Sequence, residues 1–285
     1  MQKFSFYSRF SLFLIIVCGT CTYLGLKASL FFLNDRFAIS HIETPPLFSY
    51  RIRPPTQQER NQIAKLCSAP FRYLGQGSQC YIFENGEIIL KLVKFNRFRQ
   101  IRLPLFEGLP SFLQKMHLAK QELKNKKWEA FFQSCKIAHQ ELFYETGMIF
   151  YHFYQGCELD LNVTLIDKLG RQYSIALDRT YFILQERGEL IGPTFQTLIN
   201  QEDFQGIKER MTQLITLLNT RFERGIADND PALSKNAGYL KDRAIFLDIG
   251  GFSKDSSLKN KEIAQNELNQ MILPLQTWLK HISYN

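Results

Sequence analysis

Apolar positions along this chain recur with two different periods, and the switches between them mark its elements. In "KWEAFFQSCKIAHQELFYETG", Trp128, Phe131, Phe132, Cys135, Ala138, Leu142 and Phe143 fall at helical spacing, so an amphipathic helix with an aromatic core face is predicted. A second long helix is predicted over "DFQGIKERMTQLITLLNTRFERGI", with Ile207, Met211, Leu214, Ile215 and Leu218 on one stripe. A third follows in "NKEIAQNELNQMILPLQTWLKHI", kinked at Pro274. "TQQERNQIAKLC" reads as a short helix, capped by Thr56 with Glu59 three residues on. "QKMHLAKQELKNKK" is also helical in pattern. Period-two alternation and β-branched content mark strands in "LNVTLID", "RQYSIALD" and "TYFILQERGE". "FRYLGQGSQCYIFENGEIILKLVK", Phe71 to Lys94, reads strand, glycine loop, strand, tight turn, strand, with Asn85-Gly86 as the hairpin signal.

The N-terminus breaks this pattern. The run from Phe10 to Leu26 is almost wholly apolar and, with Lys27 snorkelling, extends to Leu33. That fits the ~20 residues needed to cross a bilayer. An uncleaved transmembrane helix over 10–33 is expected, after a flank of 1–9; a cleaved signal peptide is the rival reading. The chain is then a single-pass membrane protein. Its orientation stays open, because Lys3 and Arg9 on one side are matched by Lys27 and Arg36 on the other. Residues 34–70, with two Pro-Pro pairs, form a linker and lead-in.

Composition narrows the rest. The 285 residues, 45% hydrophobic with 25 phenylalanines, suffice for a sizeable core. The net charge of +8 is partly N-terminal. What remains suits phosphate ligands or an anionic membrane face. It does not form a nucleic-acid footprint, and no nucleic-acid partner is expected. Of the six cysteines, Cys18 and Cys21 form a C-x-x-C that lies within the apolar run and reads as small apolar residues, and the other four are widely spaced with no zinc-ligand spacing. His117, His139 and His152 have no metal-ligand pairing and read as structural.

Two stretches carry candidate chemistry. In the first hairpin, Gly75, Gly77 and Ser78 make a flexible loop whose N–H groups could approach phosphate oxygens. Lys91 sits mid-strand among apolar neighbours, where an ammonium needs an anionic partner. Lys91 and Lys94 point to opposite faces of that strand. The bland alternative is a β-meander with turn glycines and a snorkelling lysine. In the second stretch, "GIADNDPALSKNAGYLKDRAIFLDIGGF", Asp228, Asp230, Asn236 and Asp248 gather around one apolar run. It is either a polar loop beside a buried strand or a metal-and-phosphate site.

The order of these motifs resembles the protein-kinase-like superfamily, and "GQGSQCYIFENGEIILK" and "IFLDIGGF" look most similar to the aminoglycoside and other small-molecule phosphotransferases. The resemblance implies an α+β, two-lobed kinase-like fold. A small antiparallel-sheet N-lobe with inserted helices would span 71–190, and a reduced helical C-lobe 191–285. ATP and Mg²⁺ would lie between the lobes. Gly75, Gly77 and Ser78 would cover the phosphates, with Cys80 where a third glycine often stands. Lys91 would reach the α/β-phosphates, paired with Glu141 or Glu145. Asn236 and Asp248 would bind the metal. The family's catalytic Asp position is held by Pro231, so the base would be Asp230 through a one-residue bulge, or Asp228. The implied function is ATP- and Mg-binding at a membrane, with phosphate transfer to a small-molecule or lipid-linked acceptor. The alternatives are a catalytically inactive pseudokinase scaffold with a protein partner, and a membrane-tethered structural module.

Overall fold

The computed structural model describes residues 2–43, 54–97, 110–154, 156 and 159–283, with the side chains of 2–16, 97 and 282–283 left out. The Pro-rich part of the expected linker, 44–53, the basic stretch 98–109 and Cys157 lie outside these residues. Eight helices are described: α1 (Gln2–Leu33), α2 (Gln57–Leu66), α3 (Ser111–Glu141), α4 (Phe143–Thr146), α5 (Ile191–Asn200), α6 (Phe204–Glu223), α7 (Leu233–Asn236) and α8 (Lys261–Ser283). The strands are β1 (Phe71–Gln76), β2 (Cys80–Glu84), β3 (Ile88–Val93), β4 (Met148–His152), β5 (Asn162–Ile166), β6 (Gln172–Ala176), β7 (Phe182–Glu186), β8 (Glu189–Leu190), β9 (Ile226–Asp228), β10 (Ala237–Leu240), β11 (Arg243–Phe246) and β12 (Phe252–Lys254).

The main sheet has seven strands in the order β4-β7-β3-β2-β1-β5-β6. Its pairs are antiparallel except β1 with β5, which run parallel through Phe71 and Leu165. The pleat sorts side chains between two cores. From β3, Ile88, Leu90 and Leu92 enter one cluster, together with Tyr81, Phe83, Phe37, Ile42 and Ile63. Val93 points the other way, into a larger cluster. There α3 brings Trp128, Phe131, Phe132, Cys135 and Ala138, while α6 and α8 bring Leu214, Leu218, Met271 and Ile272. Each Phe, Leu, Ile or Met among them contributes roughly 1.5–3 kcal/mol on full burial. Pro274 lies inside α8.

The C-terminal half is not purely helical. β8, β10 and β11 form a three-stranded sheet, and β9 pairs with β12. In the β10–β11 ladder Ala237 lies opposite Phe246, so the residue before the one meets those after the other: the Asn236 carbonyl accepts from the N–H groups of Leu247 at 2.8 Å and Asp248 at 3.2 Å. In the other pair Asp228 lies opposite Phe252.

Two expectations are overturned. The architecture is α+β, but it is not a small antiparallel lobe over a helical one preceded by a transmembrane helix. The β5–β6 hairpin joins β1 in parallel and widens the sheet to seven strands, and five short strands interrupt the C-terminal half. Among the described residues no helix is long and apolar enough to cross a membrane, so the single-pass membrane localisation is withdrawn. Of the expected span 10–33, the side chains described begin at Val17. From there to Leu33 the helix offers 17 residues with Lys27 among them, short of the ~20 required. The end of α1 is instead tied to the sheet, where Asn34 Nδ2 donates to Asp167 Oδ2 at 2.9 Å.

Candidate functional site

A cleft of about 650 Å³ opens between the seven-stranded sheet and the C-terminal strands. One wall comes from the first hairpin, with Leu74, Gly77, Cys80, Ile82, Ile89 and Lys91. The opposite wall comes from α7 and the end of β11, with Lys235, Asn236, Leu247, Asp248 and Ile249. The segment joining β7 to β8, Glu186 to Leu190, closes its inner end. Apolar side chains (Leu74, Ile82, Ile89, Leu247) and charged ones (Lys91, Lys235, Asp248) both line the cleft, a mixture that suits a ligand with a flat apolar part and an anionic tail.

Lys91 reaches this cleft because Ile89 and Lys91 share the pleat face opposite to Leu90 and Leu92. Its ammonium donates to the Leu247 carbonyl at 2.6 Å, which ties the sheet to the residue preceding Asp248. Neither expected acid meets it. Glu141 accepts from Lys254 Nζ, and Glu145 is held by two bonds from Arg224, at 2.7 and 2.9 Å. Both acids are engaged by other cations, because α3 and α4 carry them towards β12 and α6.

Asp248 is exposed, and its Oδ1 accepts the N–H of Gly250 at 3.0 Å, a tight turn that fixes the carboxylate. Asn236 is buried. Its Nδ2 donates to the Asp230 carbonyl at 2.6 Å, leaving the amide oxygen as the group it can offer a cation. Among the described residues no cluster of three or more His, Cys, Asp or Glu could hold a metal. The donor set nonetheless fits magnesium: one carboxylate and one amide oxygen, both hard, on adjoining backbone, with phosphate and water oxygens completing the shell.

The acidic loop is built around Asp228. Its Oδ1 accepts from Asp230 N at 3.0 Å, and its Oδ2 lies 3.7 Å from Arg221 Nη1. Burial pushes the Asp228 carboxyl up to about 6; the Asp230 N–H and Arg221 oppose this, while the charges of Asp248 and Asp230 add to it. Arg221 itself is fully buried, donates to Glu267 at 2.8 Å and faces the rings of Phe222 and Phe246. Asp230 is exposed. Neither Asp228 nor Asp230 lines the cleft; they flank it beside Asn236.

Of the loop residues, Gly77 lines the cleft, whereas Gly75 and Ser78 do not. Gly75 lies at a register shift of the β1–β2 ladder, and the Ser78 hydroxyl bonds Gln79. A Cβ at Gly75 or Gly77 would meet nothing within 4 Å, so neither glycine is demanded by packing. Cys80, in the third-glycine position, is buried, and desolvation pushes its thiol up to about 12, too high for a reactive thiolate.

Sequence reading missed Lys235 and Ser134. Lys235 adjoins Asn236 and adds a second ammonium to the cleft. Ser134 is fully buried on α3, donates to the Ile249 carbonyl and accepts Phe252 N–H at 2.7 Å, so it pins the turn that presents Asp248. Its only signal was a polar residue amid an aromatic helix face.

No family model and no curated protein matches this chain. Among solved structures, that of the bifunctional kinase-methyltransferase WbdD aligns at 11% identity over 65% of this chain and 34% of that one, with a TM-score of 0.33. A co-crystal structure of WbdD with the kinase inhibitor LY294002 aligns at 12% identity over 74% and 40%, with a TM-score of 0.31. The chain thus spans well under half the length of either. A likeness of this size carries no argument, and the expected membership of the protein-kinase-like superfamily is withdrawn: no family model matches, and the sheet is wider than that family implies.

Proposed function

We propose that this protein binds a nucleoside triphosphate, ATP, with Mg²⁺ in the cleft and transfers phosphate to a hydroxyl of a small-molecule acceptor. The observation that carries the reading is that Lys91, Gly77, Asn236 and Asp248, drawn from elements far apart in sequence, line one cavity of about 650 Å³. In this reading Leu74, Ile82, Ile89 and Leu247 enclose the base, and Lys91 leaves the Leu247 carbonyl for a phosphate oxygen. Asp248 and Asn236 would hold the metal, which when bound neutralises phosphate charge. Asp230 accepts the acceptor's proton, because its carboxylate is exposed while its main chain is fixed by Asn236 and Asp228. Asp228 is the buried brace of that loop. A second reading, nucleotide binding without transfer, is favoured by one observation: neither loop acid lines the cleft.

Thermal unfolding of the full chain with ATP and Mg²⁺ tests this. Saturation at 100 times Kd stabilises a fold by ~2.7 kcal/mol. The resulting rise in Tm is expected in the wild type and lost in Lys91→Ala and Asp248→Asn. No rise in the wild type overturns the proposal. Phosphate release that disappears in Asp230→Asn while binding persists supports transfer; binding with no release in the wild type leaves the second reading.

A further inference from the structure

The glycine loop between β1 and β2 has a back as well as a front. Gly77 lines the nucleotide cleft on one side and, on the other, a polar pocket of about 580 Å³ formed with Phe32, Asp35, Arg36, Gln76, Lys94 and Asn96. Lys94 follows β3 and points away from Lys91. It is only 2% exposed, and its ammonium lies 4.4 Å from the centre of the Tyr81 ring. From there Nζ donates to the Gly77 carbonyl at 2.8 Å and to Gln76 Oε1, while its main-chain N–H donates to the Gln79 carbonyl at 2.8 Å. One residue therefore binds the loop at three successive points: its entry, its apex and its exit.

The corner after α1 completes the support. Gln76 Nε2 donates to the Asp35 carbonyl at 3.1 Å, and the Tyr81 hydroxyl to the Arg36 carbonyl at 2.8 Å. Asp35 and Arg36 are both left-handed, with φ of 51° and 60°. Two such residues in succession are held only where surroundings compensate them. Here Lys168 and Tyr73 bind the Asp35 carboxylate at 2.9 and 3.0 Å.

We infer that Lys94 is a positioning residue for phosphate binding, which holds the glycine loop from behind in the shape its front presents to the nucleotide. The inference rests on the nucleotide reading above and extends it to a residue that cannot touch the ligand. Bonds from an ammonium to carbonyl oxygens are stronger than neutral ones and also polarise the peptide units that they engage. Without them a glycine-containing loop samples many conformations, and binding must then order it.

Calorimetric titration of full-length Lys94→Met with ATP–Mg²⁺ and with adenosine is the test. The expected result is an ATP affinity about tenfold weaker with adenosine affinity unchanged, since adenosine has no phosphate for the loop to hold. Lys94→Arg should restore part of the loss. Gln76→Ala, at an exposed position, should weaken ATP about threefold and serves if Lys94→Met fails to fold. Unchanged ATP affinity in a folded Lys94→Met or in Gln76→Ala overturns the inference and leaves the nucleotide site standing. An equal loss for ATP and adenosine also overturns it, because the residue would then support the whole hairpin. If the wild type binds neither ligand, the nucleotide reading falls, and this role with it.

Discussion

Lys91 is tolerated in the middle of an apolar strand because one neighbour supplies a carbonyl to its ammonium and the cleft leaves the other side open to solvent or ligand. The same logic of local compensation governs Asp228. Its folded-state pKa of about 6 lies above that of the unfolded carboxyl, so the folded protein takes up a proton between about pH 4 and 6 that the unfolded chain does not. Stability is therefore highest at the acid end of that window and falls as pH rises through 6. Asp228→Asn should flatten this part of a denaturation-against-pH profile; a wild type that gains stability from pH 4 to 6 on this group's account would contradict it. Gly251 packs closely against the same carboxylate, since a Cβ there would overlap Asp228 Oδ1. Gly251→Ala should cost about 2 kcal/mol in urea unfolding.

At the scale of elements, α3 is the beam on which the cleft's lower wall hangs. Most of its aromatic face was legible from spacing alone: Trp128, Phe131, Phe132, Cys135 and Ala138 are all buried, but Phe143, placed on the same stripe, lies beyond the helix and is exposed, because α3 ends at Glu141. Its functional contact was not legible: Ser134 bridges Ile249 and Phe252 across more than a hundred residues of sequence. Ser134→Ala leaves a buried N–H and a buried carbonyl without this partner, at an expected cost of about 1–3 kcal/mol. ATP–Mg²⁺ affinity should fall with it, as the Asp248 turn loosens; full affinity in a destabilised variant would separate the two effects. The short helix α2 behaves more simply. Thr56 and Glu59 form the capping box that the sequence predicted, with bonds of 3.2 and 2.8 Å. Thr56→Ala should lower stability by about 1 kcal/mol with nucleotide affinity intact.

At the scale of the whole molecule, the end of α1 is joined to the main sheet. Asp167 is the centre of that junction. Burial raises the carboxyl, but bonds from the Arg171 main chain and side chain and from Tyr173 outweigh it and hold the pKa below the usual carboxylate value. Asn34 adds another contact to the same group. Stability from this junction is present above about pH 4 and is lost as pH falls through the depressed value. Asp167→Ala should destabilise the fold by about 3 kcal/mol and expose the end of α1 to protease; an unchanged melt and cleavage pattern would show that the junction bears no load.

Sequence alone determined the long helices α3, α6 and α8, the β1–β3 hairpin strands and β5 to β7, but not β4, α5 or the short strands of the C-terminal half. Helical and strand periods, the Asn85-Gly86 turn and the Thr56 cap are set by interactions within a few residues, and their physics is local. Tertiary structure decided what those elements meet. It bent Asn236 and Asp248 onto adjoining backbone, aligned Lys91 with Leu247, turned Glu141 and Glu145 towards Lys254 and Arg224, and put Lys94 behind the glycine loop. The parallel β1–β5 pairing and the docking of α1 were hidden for the same reason. Each depends on complementarity between segments distant along the chain, which no local pattern records.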